Sequence, residues 1–257
     1  MTTALITGAS SGLGEEFAIQ LAREKFDLVL VARREDKLKS VAERARGLGA
    51  ARVSIVAADL SHPGAAADVH RRAVAEVGEI GYLVNNAGFG THGRFDSLPL
   101  EREIEEIALN VTALMALTRM CVPAMLERGR GVVINVASTA AFQAIPSMAT
   151  YGATKAFVLS FSEALAEEFR GTGVTVTALC PGPTRTGFQA VADTASARMP
   201  ASSYMDAATV VRQALAASRA GKAVKINGAM NLVMAESTRF VPRALARRIA
   251  GAMFKNH

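Results

Sequence analysis

The stretch "TALITGASSGLGEEFAIQLA", residues 3–22, decides how the rest of the chain is read. It opens with a short apolar run of strand type, Ala4 to Thr7. It closes with Phe17, Ile19 and Leu21 set among Ala18 and Ala22, the spacing of an amphipathic helix. Between the two stand Gly8, Gly12 and Gly14, with Ser10 and Ser11 among them. Neither common phosphate-loop pattern fits. A P-loop needs G-x-x-x-x-G-K-[ST] and the dinucleotide fingerprint reads G-x-G-x-x-G, and neither spacing is present. Context supplies what the pattern lacks. At a strand-to-helix junction the first helical N–H groups and the positive end of the helix dipole face outward, and glycines let an anion reach the backbone. A phosphate is therefore the expected occupant of the turn from Gly8 to Gly14, Leu13 included. Glycines that merely close a turn are the competing reading.

Beyond this unit, strand-like runs alternate with helical patterns almost to the end. "DLVLVA" (27–32), "RVSIVAAD" (52–59), "GYLVNNAG" (81–88), "GVVINVAS" (131–138) and "VTVTALCPG" (174–182) are short, apolar and β-branched. Helical stretches run over 35–48, 63–77, 101–128 and 150–170. Such alternation, with nearly continuous apolar strands, predicts a doubly wound parallel sheet covered by helices on both faces, a three-layer α/β/α Rossmann-type fold. Ligands of these sheets bind at the carboxyl ends of the strands. The distinctive residues fall there: Gly8 to Gly14, Arg33, Asp59, Asn85 to Gly88, Ser138, and Pro181 with Gly182.

With 257 residues, half of them apolar, the chain suits one domain over 1–257, with 228–257 as a C-terminal extension. No basic-then-apolar leader and no uncharged run of about 18 residues is present, so a cytoplasmic protein without a transmembrane segment is expected. Cys121 and Cys180 lack the spacing of a metal knuckle and read as reduced core thiols; the four histidines form no ligand pair, so no metal is expected. The formal charge of +6 invites a nucleic-acid partner, but basic and acidic residues are interleaved along most of the chain, so none is expected. Only the tail, "RFVPRALARRIAGAMFK" (239–255), concentrates basic residues. There Arg239, Arg243 and Arg247 recur opposite Leu245, Ile249 and Met253 as on a basic amphipathic helix. Two readings stay open for it: peripheral contact with a membrane surface, or a terminal helix packed on the core with its arginines in water.

A dinucleotide needs a partner for its adenosine ribose about 20 residues beyond the glycines: an acid for the 2′-hydroxyl of NAD, an arginine for the 2′-phosphate of NADP. "VARRED" (31–36) puts Arg33 and Arg34 at that place. Guanidinium groups bind phosphate by charge-assisted, often bidentate hydrogen bonds, so NADP(H) is the expected cofactor. Glu35 and Asp36 read as acids of the next helix's first turn. Asp59 suits the adenine amino group, and "NNAG" would run against the adenosine half.

In "YGATKAF" Tyr151 and Lys155 stand four apart at the start of a long helix, on one face, and Ser138 ends a strand that reaches the same crevice. A free tyrosine has a pKa near 10. Proton transfer near neutrality asks for a depression of roughly 3 units, or about 4 kcal/mol, which a nearby ammonium and an oxidised nicotinamide would supply.

Together these residues make the sequence resemble the classical short-chain dehydrogenase/reductases over essentially its whole length. Thr7 to Gly14 matches the family's T-G-x-x-x-G-x-G turn, Asn85 to Gly88 its N-N-A-G, and Ser138, Tyr151 and Lys155 its Ser, Tyr, Lys set. Asn110 in "ALNVTAL" matches its helix asparagine and "PGPTRT" (181–186) its nicotinamide-side loop. The resemblance implies Tyr151 as general acid/base, Ser138 on the substrate oxygen, Lys155 on the nicotinamide ribose, and Asn110 holding a relay water. It implies cofactor contacts from Gly8, Ser10, Ser11, Gly12, Leu13, Gly14, Arg33, Arg34, Asp59, Leu60, Asn86, Ala87, Gly88, Tyr151, Lys155, Pro181, Gly182, Thr184 and Thr186. It further implies a homodimer or homotetramer built on the two long helices. The expected reaction is hydride transfer between the nicotinamide and a small, apolar carbonyl or alcohol substrate: an aldehyde, a ketone or a 3-oxoacyl compound. "FGTHGRF" (89–95), "TAAFQAIPSM" (139–148) and residues 188–204 are its candidate pocket, with Phe89, Phe142, Ile145, Met148, Phe188 and Met199 as an apolar lining. His92 and Gln143 are possible polar contacts within it. The alternative is a non-catalytic NADP-binding protein that acts by association, at a membrane surface through its basic tail.

Overall fold

The structure, a computed structural model, describes residues 2–185, 204–238 and 240–254. Seven strands form one parallel sheet: β1 (Thr3–Thr7), β2 (Asp27–Ala32), β3 (Val53–Ala57), β4 (Ile80–Asn85), β5 (Gly131–Val136), β6 (Val174–Cys180) and β7 (Val224–Ile226). Their order is β3-β2-β1-β4-β5-β6-β7. The winding reverses between β1 and β4, which pair with Ala4 opposite Tyr82 and Ile6 opposite Val84. A crevice opens at that reversal, beyond the strands' carboxyl ends.

The sheet is coated on both faces because successive side chains point to opposite sides. Ala4 and Ile6 of β1 pack with Phe17 and Leu21 of α1 (Gly12–Arg23), Leu38 and Val41 of α2 (Glu35–Gly47), and Val210 and Leu215 of a helix at Ala207–Arg219. Leu5, between them, packs on the other face with Val69 and Ala73 of α3 (Ala65–Val77) and with Leu117 and Cys121 of Leu114–Glu127. Completely buried strands of this kind need no polar face, which is why they read as unbroken apolar runs.

Four expectations are corrected. The strands end earlier than read, at Ala57, Asn85, Val136 and Cys180, so Asp59, Asn86 to Gly88, Ser138 and Gly182 lie in the loops that follow. The long helix expected at 101–128 is three pieces end to end: α4 (Leu100–Ile107), a π-helical turn at Ala108–Ala113, and α5 (Leu114–Glu127). By length and composition this run would reach across a bilayer, yet Leu117, Cys121 and Met125 are packed on the sheet. After α6 (Ala149–Glu168) come α7 (Ala207–Arg219), β7 and α8 (Ala229–Ser237), where no elements were read; β7 is only "VKI", too short for periodicity to show. Finally, the basic tail helix, α9, spans Arg243–Phe254 and starts after Pro242, four residues beyond Arg239. Arg239 lies outside the described residues, as do the side chains of Ile249 and Met253. Leu245, expected on the apolar face, is half exposed, while Ala250 is buried and a Cβ on Gly251 would lie 3.4 Å from Pro146.

Candidate active site

The glycine turn is built so tightly that two of its glycines could take a side chain only if their neighbours shifted. Gly8 has φ +66, and a Cβ there would lie 2.7 Å from Asn86 Nδ2. A Cβ on Gly14 would lie 2.2 Å from the Gly8 carbonyl oxygen, backbone against backbone. The turn is braced from the loop after β4. Asn86 Nδ2 donates to the Thr7 carbonyl (2.9 Å) and the Gly8 carbonyl (3.3 Å), while the backbone N–H groups of Asn86 and Ala87 donate to Thr7 Oγ1. Asn86 therefore acts from behind the turn, and Thr7 is its counterpart. Neither role was visible in a glycine pattern, because the contact spans 79 residues.

Over the open side of the turn lies Arg34, whose Nη2 donates to Ser10 Oγ and Ser11 Oγ at 3.2 Å each. Arg33 turns toward Asp59, 3.6 Å away. Burial would raise the Asp59 carboxyl, but hydrogen bonds from Ser61 and the charge of Arg33 outweigh it and hold the group below its usual range. Leu60 is buried in the core. The helix N-terminus at the turn and the two guanidinium groups near it are donors of the kind that hold an anionic group such as a dinucleotide pyrophosphate.

Across the crevice, Ser138 follows β5. Its Oγ accepts from Ala140 N (3.1 Å), leaving the hydroxyl proton to donate, and it hydrogen-bonds the Tyr151 phenol. Tyr151 stands in the first turn of α6, packed with Ala140, Ile145 and Met148; Gly90 is glycine because a Cβ there would come 2.8 Å from the tyrosine ring. One helical turn on, Lys155 Nζ donates to the Val136 carbonyl at the end of β5 (2.8 Å) and lies 5.7 Å from the Tyr151 ring centroid. Burial lowers Lys155 to about 8, opposed by the charge of Glu106. Burial raises Tyr151 to about 12, with Ser138 pulling the other way. In the chain by itself, the loss of water around the phenol is what sets the tyrosine.

Asn110 sits in the π-helical turn, a geometry that recurs at functional sites. Its amide is committed to protein: Nδ2 donates to the Phe89 carbonyl (2.8 Å) and Thr154 Oγ1 (3.1 Å), and Oδ1 accepts from Phe89 N (3.1 Å). It clamps the loop after β4 to α6, so its side chain has no spare proton for a water. Gly88 lies against it, where a Cβ would come 2.8 Å from Asn110 Oδ1.

Pro181 and Gly182 follow β6. The Pro181 carbonyl accepts from Thr139 N, and a Cβ on Gly182 would strike the Asn231 side chain at 2.3 Å. Thr184 Oγ1 donates to the Gly182 carbonyl (3.0 Å). Thr186, Phe188 and Met199 lie outside the described residues. Of the remaining candidate pocket residues, Phe89, Ile145 and Met148 are buried, whereas Phe142, His92 and Gln143 are half-buried. The carboxylates Glu103 and Glu106, buried beside this site, were missed entirely. Among the described residues no cluster of three or more metal-ligating side chains occurs.

The model of the family described as short chain dehydrogenase matches residues 2–197. An uncharacterized oxidoreductase of Myxococcus xanthus is 39% identical over 180 residues, 70% of this chain and 71% of its own. The chain spans 51% to 62% of the length of seven further curated relatives. Among solved structures, a short-chain dehydrogenase from Sphingobium yanoikuyae in complex with NADPH superposes with a TM-score of 0.82 at 35% identity, covering 93% of this chain and 94% of that one. A 3-ketoacyl-(acyl-carrier-protein) reductase from Brucella melitensis complexed with NADH gives 0.78 at 28%, over 88% and 96%. With its sheet order, its glycine turn and its Ser138, Tyr151 and Lys155 in one crevice, the chain belongs to the short-chain dehydrogenase family of oxidoreductases.

Proposed function

We propose that this protein is an NADP(H)-dependent reductase of a small apolar aldehyde, ketone or 3-oxoacyl compound. The observation that carries the reading is the convergence of Ser138, Tyr151 and Lys155 on one side of the crevice, opposite the phosphate-shaped turn under Arg34. The turn from Gly8 to Gly14 would hold the pyrophosphate, and Arg33 and Arg34 the 2′-phosphate. Bound there, the nicotinamide supplies the hydride, and the chain's own residues handle the proton. Burial keeps the Tyr151 phenol protonated, which suits a general acid for reduction. The Ser138 hydroxyl, with its oxygen already accepting from Ala140 N, is oriented to donate to a carbonyl oxygen. Lys155, pinned to the Val136 carbonyl, presents positive charge beneath both. Ile145 and Met148 flanking Tyr151 favour an apolar substrate.

The test is NADPH oxidation against aldehydes, bulky ketones, steroids and 3-oxoacyl thioesters, with wild type and Tyr151→Phe. Loss of a positioned general acid costs on the order of 100-fold or more in turnover, with NADPH binding retained. Turnover by the variant near the wild-type rate refutes the assignment.

An oligomer fits the same reading. Leu100, Ile104 and Ile107 of α4 and Phe157 of α6 leave an apolar outer face uncovered, flanking a shallow recess lined by Ile107, Val111 and Ala153. A second copy placed on the α4–α6 face would bury it. Light scattering of wild type and Ile104→Glu tests this, a monomer being expected for the variant.

One observation favours association at a membrane as a second reading. Met230, Val233, Phe240 and Leu245 are exposed around α8 and α9, beside exposed Arg247 and Arg248. Binding to anionic vesicles that disappears on removal of residues 239–257, together with NADPH binding without turnover of any panel compound, would favour that reading over reduction.

A further inference from the structure

Helix α4 wears its polarity inside out. Leu100, Ile104 and Ile107 face outward, while Glu103 and Glu106, three apart on the opposite face, are buried at 6% and 0% exposure. Asn110 continues that inner face one turn further, into the catalytic crevice. Burying two carboxylates is costly unless hydrogen bonds and charge satisfy them.

The hydrogen bonds around them can be counted. Thr91 Oγ1 lies within hydrogen-bond reach of Glu103 Oε1 and, at 2.8 Å, of Glu106 Oε2. Thr91 N donates to the same Glu106 oxygen (2.9 Å), and Thr150 Oγ1 donates to Glu103 Oε2. The Thr91 hydroxyl has one proton but stands between two carboxyl oxygens. If it donates to Glu103, the approach of Glu106 Oε2 is satisfied only when Glu106 carries a proton and donates it. Glu106 Oε1 is buried with no partner, which a lone carboxylate would not tolerate cheaply. Thr91 follows Gly90, which packs on the Tyr151 ring, and Thr150 precedes Tyr151, so both hydroxyls sit beside the proposed acid.

We propose that Glu103 and Glu106 hold one proton between them through Thr91, and that Glu106, once it ionises, is the counter-charge that keeps the buried Lys155 an ammonium and Tyr151 a phenol. Glu106 is thus a positioning residue, acting through the pair. The groups that face it are Glu103 on its own helix, Thr91 in the loop after β4, and Lys155 with Tyr151 on α6; Cys180 at the end of β6 faces Lys155. Burial, aided by the charge of Glu103 and opposed by the Thr91 hydrogen bonds and Lys155, raises Glu106 to about 7. The proton therefore leaves within the working range of most enzymes. The effect on Tyr151 as an acid rests on the proposed reductase reading; the shared proton and the effect on Lys155 do not.

The tests follow that division. Because Glu106 ionises higher in the folded chain than unfolded, its contribution to stability is complete below the ordinary carboxylate range and is lost as pH rises through about 7. The melting temperature of wild type should therefore fall relative to Glu106→Gln as pH rises from about 4.5 to about 7, and level off above that. A constant difference overturns the shared proton. If Glu106→Gln does not fold, Glu103→Gln serves: without the neighbouring charge, the loss of stability with rising pH should be complete at lower pH than in wild type, and an unmoved end point overturns the proposal. Competitive acetylation of Lys155, read by mass spectrometry on cofactor-free protein, should give an apparent pKa about 1 unit lower in Glu106→Gln. An unchanged value overturns the counter-charge. With a reducible substrate in hand, the alkaline limb of the reductase profile should move to lower pH in Glu106→Gln. If Lys155 shifts and that limb does not, the reading of Tyr151 as the acid fails while the Glu106–Lys155 coupling stands.

Discussion

Replacing Gly14 with alanine tests whether the glycine turn is a close-packed joint or only a flexible one. Gly14 has an ordinary helical backbone, so no conformational penalty attaches to the new residue. The whole effect comes from its Cβ, 2.2 Å from the Gly8 carbonyl oxygen and 2.6 Å from Asn86 Nδ2. Ordinary contact begins at 3.4 Å, so α1 must back away from β1 by about an ångström, and the obstructing atom belongs to the backbone. Forced overpacking of this kind costs about 1–3 kcal/mol, and an immovable neighbour argues for the upper end. For 257 residues the unfolding entropy is about 0.5 kcal/mol per kelvin, so about 3 kcal/mol lowers the melting temperature by about 6 °C. Gly64→Ala is the control. Gly64 has φ +80 and nothing within 4 Å of its Cβ position, so only the left-handed backbone penalizes alanine, by about 1–2 kcal/mol or roughly 2–4 °C. Calorimetry gives both shifts, and fluorescence titration with NADPH gives affinity, which should collapse for Gly14→Ala and stay unchanged for Gly64→Ala. If Gly14→Ala melts above Gly64→Ala and binds as wild type, the close-packed joint does not exist.

Three further outcomes are expected. Arg34→Asp removes the guanidinium above Ser10 and Ser11 and should weaken NADPH by roughly 10- to 150-fold, the value of a charged hydrogen bond, with NADH affected far less; Arg33→Asp should act in the same direction, and equal losses for both cofactors would show that the 2′-phosphate site is misplaced. Gly152→Ala in α6 meets nothing closer than 3.9 Å and should raise the melting temperature by about 1–2 °C through helix propensity, whereas a fall would mean that the first turn of α6 has no room for a methyl group. Burial pushes the Cys121 and Cys180 thiols up to about 12, so iodoacetamide at neutral pH should leave both unmodified until the protein unfolds, as read by intact mass.

The first six strands of the sheet were legible because they are largely buried on both faces, so apolar, β-branched runs mark them; β7, three residues long, was not. The glycine turn and the Ser138, Tyr151, Lys155 set were legible because each residue type is tied to one task. Three further things were not. "LEREIEEI" reads as a helix with an acidic solvated side, and only tertiary packing shows that Glu103 and Glu106 are its inner side and Leu100, Ile104 and Ile107 its outer one. Asn85 looked like part of a cofactor loop; it is a core residue, donating to Thr118 Oγ1 and Asn135 Oδ1 at 2.9 Å each, with Asn135 passing the chain to Ser162. Asn231 beneath Gly182 lies 49 positions away in sequence, and no local pattern relates them.

The pairing of β1 with β4 has a consequence for the chain during its synthesis. β1 leaves the ribosome with only β2 to pair with at first, and its other edge stays open until β4 emerges. The bond from Asn86 to Thr7 spans 79 residues, about 4–16 s of translation at 5–20 residues per second. Throughout that interval Leu5 and Ile6 belong to an apolar strand with one free edge, the kind of segment that recruits foreign strands. The edge of β1 that the finished turn closes so tightly is thus open for longer than the edge it shares with β2, and slow codons between β2 and β4 would lengthen its exposure.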